Sequence, residues 1–141
     1  MTVAITHLNP PTMNRNPMFT QAVVVSGVAR TVYIGGQNGV DAAGTIVGAG
    51  DLAAQVEQVF DNLEAVLAAA GGRLQNIVKW SIFVVVGQDP RPALGIFGRR
   101  WGTASPPPAI SVLTVAGLAN PAFLVEVEAI AVIPGEARDA D

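Results

Sequence analysis

Cysteine is absent from the chain, which excludes disulfides, thiolate catalysis and cysteine-ligated metals. Histidine occurs once, as His7, so a multi-histidine metal centre lacks ligands and a Ser-His-Asp triad lacks evident partners. Lysine also occurs once, as Lys79. Charged residues fill 13% of the 141 positions, against roughly a quarter in an ordinary globular protein. No apolar run reaches the about 18 residues of a membrane span, and the N-terminus lacks a signal peptide's basic start and apolar core. A soluble, cytoplasmic protein is the expectation. With a net charge of −3 and scattered arginines there is no basic stripe, so neither nucleic acid nor membrane is an expected partner. Arg99-Arg100 is the one basic pair, and it reads as a solvated helix end.

What remains is apolar: half of the residues are hydrophobic. A chain of this length buries roughly two-thirds of its unfolded surface, so residues 1–141 are expected to form one domain. With so few charges, part of its surface is expected to be hidden against copies of itself.

Taken in order, residues 3–8 predict a short strand, followed by a polar arm over 9–18 with Pro10-Pro11, Asn14, Arg15 and Asn16. Residues 22–26 and 31–35 are β-branched and predict a hairpin. Gly35-Gly36-Gln37-Asn38-Gly39 then interrupts the second strand. Adjacent glycines there permit a bulge, or the close approach of a ligand or another backbone. Asp51 predicts an N-cap, apolar residues from Leu52 to Ala70 recur at helical spacing, and Gly71-Gly72 ends the helix. Glu57, Asp61 and Glu64 fall on its opposite, wet face. Residues 77–86 are apolar on both faces and predict a central strand covered on both sides. Asp89-Pro90 opens a second helix with Leu94, Phe97 and Trp101 as its buried stripe. Gly95 and Gly98 within it predict close packing on the sheet. Pro106-Pro107-Pro108 delivers the chain into two final strands joined by a Gly117–Pro121 turn, and 135–141 predict a frayed tail. The order β-β-β-α-β-α-β-β gives an α+β fold: a mixed six-stranded sheet with two helices on one face.

Two glutamates, Glu126 and Glu128, stand two residues apart in the last strand and so share a face. Acids in an apolar strand are costly unless paired or used. Lys79 inside the central strand is their candidate partner, with a structural Lys79–Glu128 ion pair as the specific expectation.

Several of these segments together resemble the RidA/YjgF family of small imine and enamine deaminases. They are Gly35-Gly36-Gln37, the helix with Gln55, Asp61-Asn62-Leu63 and Ala68-Ala69-Ala70-Gly71, Ile77-Val78-Lys79, Pro108-Ala109, and Val125-Glu126-Val127-Glu128-Ala129. The resemblance implies a chorismate-mutase-like fold and a homotrimer around a central barrel. It also implies a small-molecule site at each subunit interface, with no cofactor and no metal. By the same resemblance, Glu126 holds the hydrolytic water and Val112 contributes a backbone carbonyl beside it. The substrate side differs from the family pattern. The arginine that follows the Pro-Ala pair and binds a substrate carboxylate is Ile110 here. The tyrosine of the arm corresponds to Phe19, and the serine before the Gly-Gln pair is replaced by Gly35, next to Gly36. Arg15, Arg99 and Arg100 are the candidates to supply the missing charge. The implied activity is hydrolysis of an imine or enamine without the usual carboxylate anchor, with weak or no turnover of 2-imino acids. The alternative is a trimer that binds a small metabolite in the same pocket without chemistry. An RNA-cleaving activity finds no basic groove to support it.

Overall fold

The computed structural model describes residues 3–135, and its six strands and two helices follow the expected order. All but the first residue of the expected tail lies outside the described residues.

Helix α1 (Leu52–Ala69) begins where Asp51 accepts a hydrogen bond from the Ala54 amide at 3.1 Å, a side-chain N-cap. Val56, Val59, Phe60, Leu63 and Leu67 are completely buried, and the chain leaves through Gly71 at φ 82°. Helix α2 (Arg91–Trp101) starts one residue later than expected, with Pro90 at its N-cap. Asp89 stays outside and accepts from both the Arg91 guanidinium and the Arg91 amide; these bonds hold its carboxyl below the usual carboxylate range. The buried face of α2 is Ala93, Ile96, Phe97 and Trp101, whereas Leu94 is 44% exposed. Gly95 and Gly98 do not serve close packing: a Cβ at either would meet nothing within 4 Å.

The six strands divide into two sheets. β1 (Ala4–Leu8) and β2 (Ala22–Ser26) form an antiparallel ribbon. β3 (Ala29–Gln37), β4 (Ile77–Val85), β5 (Ala109–Val115) and β6 (Val125–Pro134) form a mixed sheet in the order β3-β6-β4-β5. The expected hairpin of residues 22–26 with 31–35 is therefore corrected. Gly27, at φ 94°, separates two strands that each find a longer-range partner, β1 for β2 and β6 for β3. Nor do the two final strands pair with each other. β4 lies between them, parallel to β5 and antiparallel to β6, as the α2 crossover allows.

Both helices cover one face of this sheet. Phe60 of α1 and Phe97 of α2 meet Trp80 of β4 edge-on, with ring centroids 5.9 and 5.3 Å away, and Trp101 joins at 5.2 Å. Trp80, Ile82, Val84, Val125, Val127 and Ala129 are buried beneath them. The opposite face carries Lys79, Ser81 and Phe83, all half-buried, and Tyr33, which is 78% exposed. The expectation that β4 is covered on both sides thus holds on one side within a single chain.

The acids expected to be merely solvated are engaged. Arg100 reaches Glu57 at 3.0 Å, Asp61 at 2.8 Å and Glu64 at 3.4 Å, and Arg99 also pairs with Glu57. The Arg100 guanidinium lies over the Phe60 ring, 5.4 Å from its centroid. Burial works against its charge, but the bond to Asp61 and the Glu64, Asp61 and Glu57 carboxylates hold its pKa above the ordinary arginine value. Arg100→Met is expected to cost about 1–2 kcal/mol in urea unfolding, since it leaves Asp61 and Glu64 without a cation while Glu57 keeps Arg99. Arg99→Met is expected to cost less than about 0.5 kcal/mol, because that guanidinium is 62% exposed.

Candidate functional site

The polar arm is fixed to the proline run. The Thr20 hydroxyl donates to the Pro107 carbonyl at 2.6 Å, and the Thr20 amide donates to the Pro108 carbonyl at 3.0 Å. Asn9 and Asn14 tie down Gln21 beside it. This anchoring suspends Pro17, Met18 and Phe19 over a cavity of about 840 Å³ on the helix-covered side of the sheet, at the β5 edge. Phe19, Ile110 and Val112, three of the predicted site residues, line it together with Trp80, Phe97 and Trp101. Among the described residues, no ionisable side chain is part of the wall. Arg99 and Arg100 are bound to α1, and Arg15 is exposed on the arm and is not part of the lining, so none of the three supplies a cation to the wall within this chain.

Glu126 sits on the other face. In the β4–β6 register Glu126 opposes Phe83 and Glu128 opposes Ser81; in the β4–β5 register Trp80 opposes Ile110 and Ile82 opposes Val112. Side chains alternate, so the sheet separates the carboxylate from the apolar cavity of its own chain. The β3–β6 register slips between Ile34 and Gln37, which confirms a bulge at Gly35-Gly36. The close approach is made by neither a ligand nor a backbone but by a side chain: a Cβ on Gly36 would lie 2.7 Å from Glu126 Cδ. Glycine at 36 makes room for the acid. Gly36→Ala is expected to displace the flexible carboxylate and reduce any Glu126-dependent turnover about tenfold while leaving the melting temperature nearly unchanged.

The half-buried Glu126 accepts one hydrogen bond, from Asn38 Nδ2 at 3.3 Å, and has no cation partner among the described residues. Asn38 is held in turn. Its Nδ2 also donates to the Val125 carbonyl, its own carbonyl accepts from Asn62 Nδ2 at 3.1 Å, and Asn62 Oδ1 accepts from Gln58 at 2.9 Å. Buried Gln55 ties Gly48 to Ala122 and Leu124, fixing the entry to β6. Sequence reasoning passed over Asn38, Gln58 and the role of Asn62. The available signal was the Gln58/Asn62 spacing of four on one helix, which permits side-chain bonding.

Lys79, Glu128 and Gly35 share the open face with Glu126 and line a smaller hollow of about 380 Å³ with Tyr33, Ser81 and Ile130. The expected Lys79–Glu128 ion pair does not form within the chain. Lys79 opposes Ile130 rather than Glu128, and its ammonium donates to Ser111 Oγ at 2.8 Å instead.

The sequence model of the Endoribonuclease L-PSP family matches residues 13–133. The chain belongs to the RidA/YjgF family. Its relatives include Protein DfrA of Myxococcus xanthus, 35% identical over 81% of this chain and 84% of that protein. A 2-iminobutanoate/2-iminopropanoate deaminase of Dermatophagoides farinae is 35% identical over 82% of this chain and 85% of its own length. Among solved structures, the Rid-family protein YyfB from Yersinia pestis, of unknown function, superposes with a TM-score of 0.80. It is 34% identical, over 92% of this chain and 98% of that one. In this RidA/YjgF protein Glu126 stands in the final strand and Ile110 follows Pro108-Ala109.

Proposed function

We propose that this RidA/YjgF protein hydrolyses small uncharged imines or enamines, with Glu126 orienting the attacking water. The observation that carries the proposal is a half-buried carboxylate, positioned by Asn38 and Gly36 and bound to no cation. Water adds to the C=N carbon while Glu126 accepts one of its protons and passes it to nitrogen, giving a carbinolamine. Glu126 then takes the hydroxyl proton and delivers it to nitrogen as the C–N bond breaks, and a carbonyl compound and ammonia or an amine leave. No metal is required for this sequence. Relatives named 2-iminobutanoate/2-iminopropanoate deaminase support the reaction class. The uncharged cavity wall supports the change of substrate.

Because the sheet separates Glu126 from the cavity of its own chain, the working site requires a second copy. In the proposed homotrimer, the open face of one subunit supplies Glu126 to the cavity of its neighbour. The apolar side chains Tyr33, Val112 and Leu113, exposed by 78%, 59% and 42% on the open face and the unpaired β5 edge, favour such burial.

The test compares ammonia release from 2-iminopropanoate, 2-iminobutanoate and an uncharged ketimine, each against spontaneous hydrolysis. Acceleration confined to the uncharged substrate is expected, from a protein that light scattering sizes as a trimer. Robust turnover of the imino acids would remove the role given to Ile110, and a monomer would remove the shared site. A trimer silent on all three would favour the alternative of a binding protein using the same cavity.

A further inference from the structure

We infer that the cavity is built for a neutral ligand with an aromatic or branched apolar body and one hydrogen-bond acceptor, which the indole N–H of Trp80 receives. This deepens the proposed function by naming its substrate class; it depends on that proposal for the reaction but not for binding.

Three observations carry it. The cavity, at about 840 Å³, is within the usual size range for a small-molecule site, and its wall holds no ionisable side chain. An ionised ligand entering it would lose hydration without a countercharge. Trp80, Phe97 and Trp101 are among its lining residues and are set edge to face, so a flat apolar body finds both ring faces and ring edges. The third observation is a missing partner. Trp101 Nε1 donates to the Ser105 carbonyl at 3.0 Å, as a buried indole ordinarily does. Trp80 is 1% exposed, and its Nε1 is the single buried side-chain polar atom without a hydrogen bond among the described residues. Trp80 is also a lining residue of the cavity, so a ligand carbonyl or imine nitrogen seated against it would supply the partner this donor lacks. A ligand without an acceptor leaves it unsatisfied.

Acetophenone and α-methylstyrene test this directly, because they share a shape and differ in C=O against C=CH₂. Isothermal titration on the intact protein is expected to show acetophenone binding about 3- to 10-fold more tightly, the usual range for one neutral hydrogen bond. Benzoate, of similar size but charged, is expected to bind at least about tenfold more weakly than acetophenone. In an amide-correlated nitrogen NMR spectrum the Trp80 indole resonance, distinguished from that of Trp101 by Trp80→Phe, is expected to move downfield with acetophenone only. In Trp80→Phe the preference between the two neutral probes disappears. Equal affinities with an unmoved Trp80 resonance would overturn the acceptor assignment without recourse to any variant. Benzoate binding as tight as acetophenone would overturn the neutral-ligand assignment. None of the probes is hydrolysed, so a failure of Glu126 chemistry leaves these outcomes intact, and the reverse also holds.

Discussion

Glu126→Gln is expected to lower imine hydrolysis about 100-fold or more while leaving the oligomeric state and the melting temperature close to wild type. The carboxylate accepts a single bond from Asn38, and glutamine can still accept one there, so little structure depends on the charge. The proposed chemistry does depend on it. An amide cannot take the proton of an attacking water, and a positioned proton acceptor is worth about 10²- to 10⁴-fold. The measurement is kcat against KM on an uncharged ketimine, with the loss falling on kcat. Asn38→Ala is the companion variant. It removes the bond that orients Glu126 but not the base, so the loss is expected to be smaller, about tenfold. A Glu126→Gln enzyme that retained wild-type kcat would move the reacting centre elsewhere and leave the acid as part of the sheet.

The fold was legible in the chain because local rules and burial agreed. Asp51 and Gly71 bound α1 as their cap chemistry requires, and the apolar spacing between them matched the residues found buried except at Val66, which is exposed, and Ala70, which is half-buried. Strand pairing was less legible. Periodicity locates strands and their faces, but it does not say that residues 22–26 leave residues 31–35 for β1, or that β4 enters between β5 and β6. The site followed the same division. Resemblance suggested Glu126, Ile110, Val112 and Phe19, yet only the register shows that Glu126 is across the sheet from Ile110 and Val112, whose cavity Phe19 also lines. Lys79 illustrates why: its partner was sought among acids by charge, and a position beside Ser111 settled its contact instead. Trp80 read as one more core residue, because an unsatisfied indole is a property of packing and leaves no trace in spacing.

Ile110→Arg is expected to transfer the protein's preference to 2-imino acids, raising kcat/KM for 2-iminobutanoate by about 10- to 100-fold. Ile110 is partly buried at the cavity wall, opposite Trp80 in the parallel β4–β5 register. No acid lines the cavity to neutralise a guanidinium there, so the new charge is left for the ligand. A charge-assisted, two-pronged bond to a carboxylate is worth about 1.5–3 kcal/mol, which sets the size of the gain. The same substitution places a charge among apolar neighbours. It is expected to lower stability by about 1–3 kcal/mol in the absence of ligand and to recover part of that loss when pyruvate, a non-hydrolysable carboxylate probe, is present. Ile110→Lys is expected to gain less, since an ammonium cannot meet both carboxylate oxygens in one plane. Turnover of the uncharged ketimine is expected to fall in both variants. If Ile110→Arg folds, responds to pyruvate in thermal unfolding and still fails to hydrolyse 2-iminobutanoate, the cavity binds but Glu126 of the neighbouring subunit does not reach it. In that case the shared-site arrangement, and not the substrate preference, is the part of the proposal that must be abandoned.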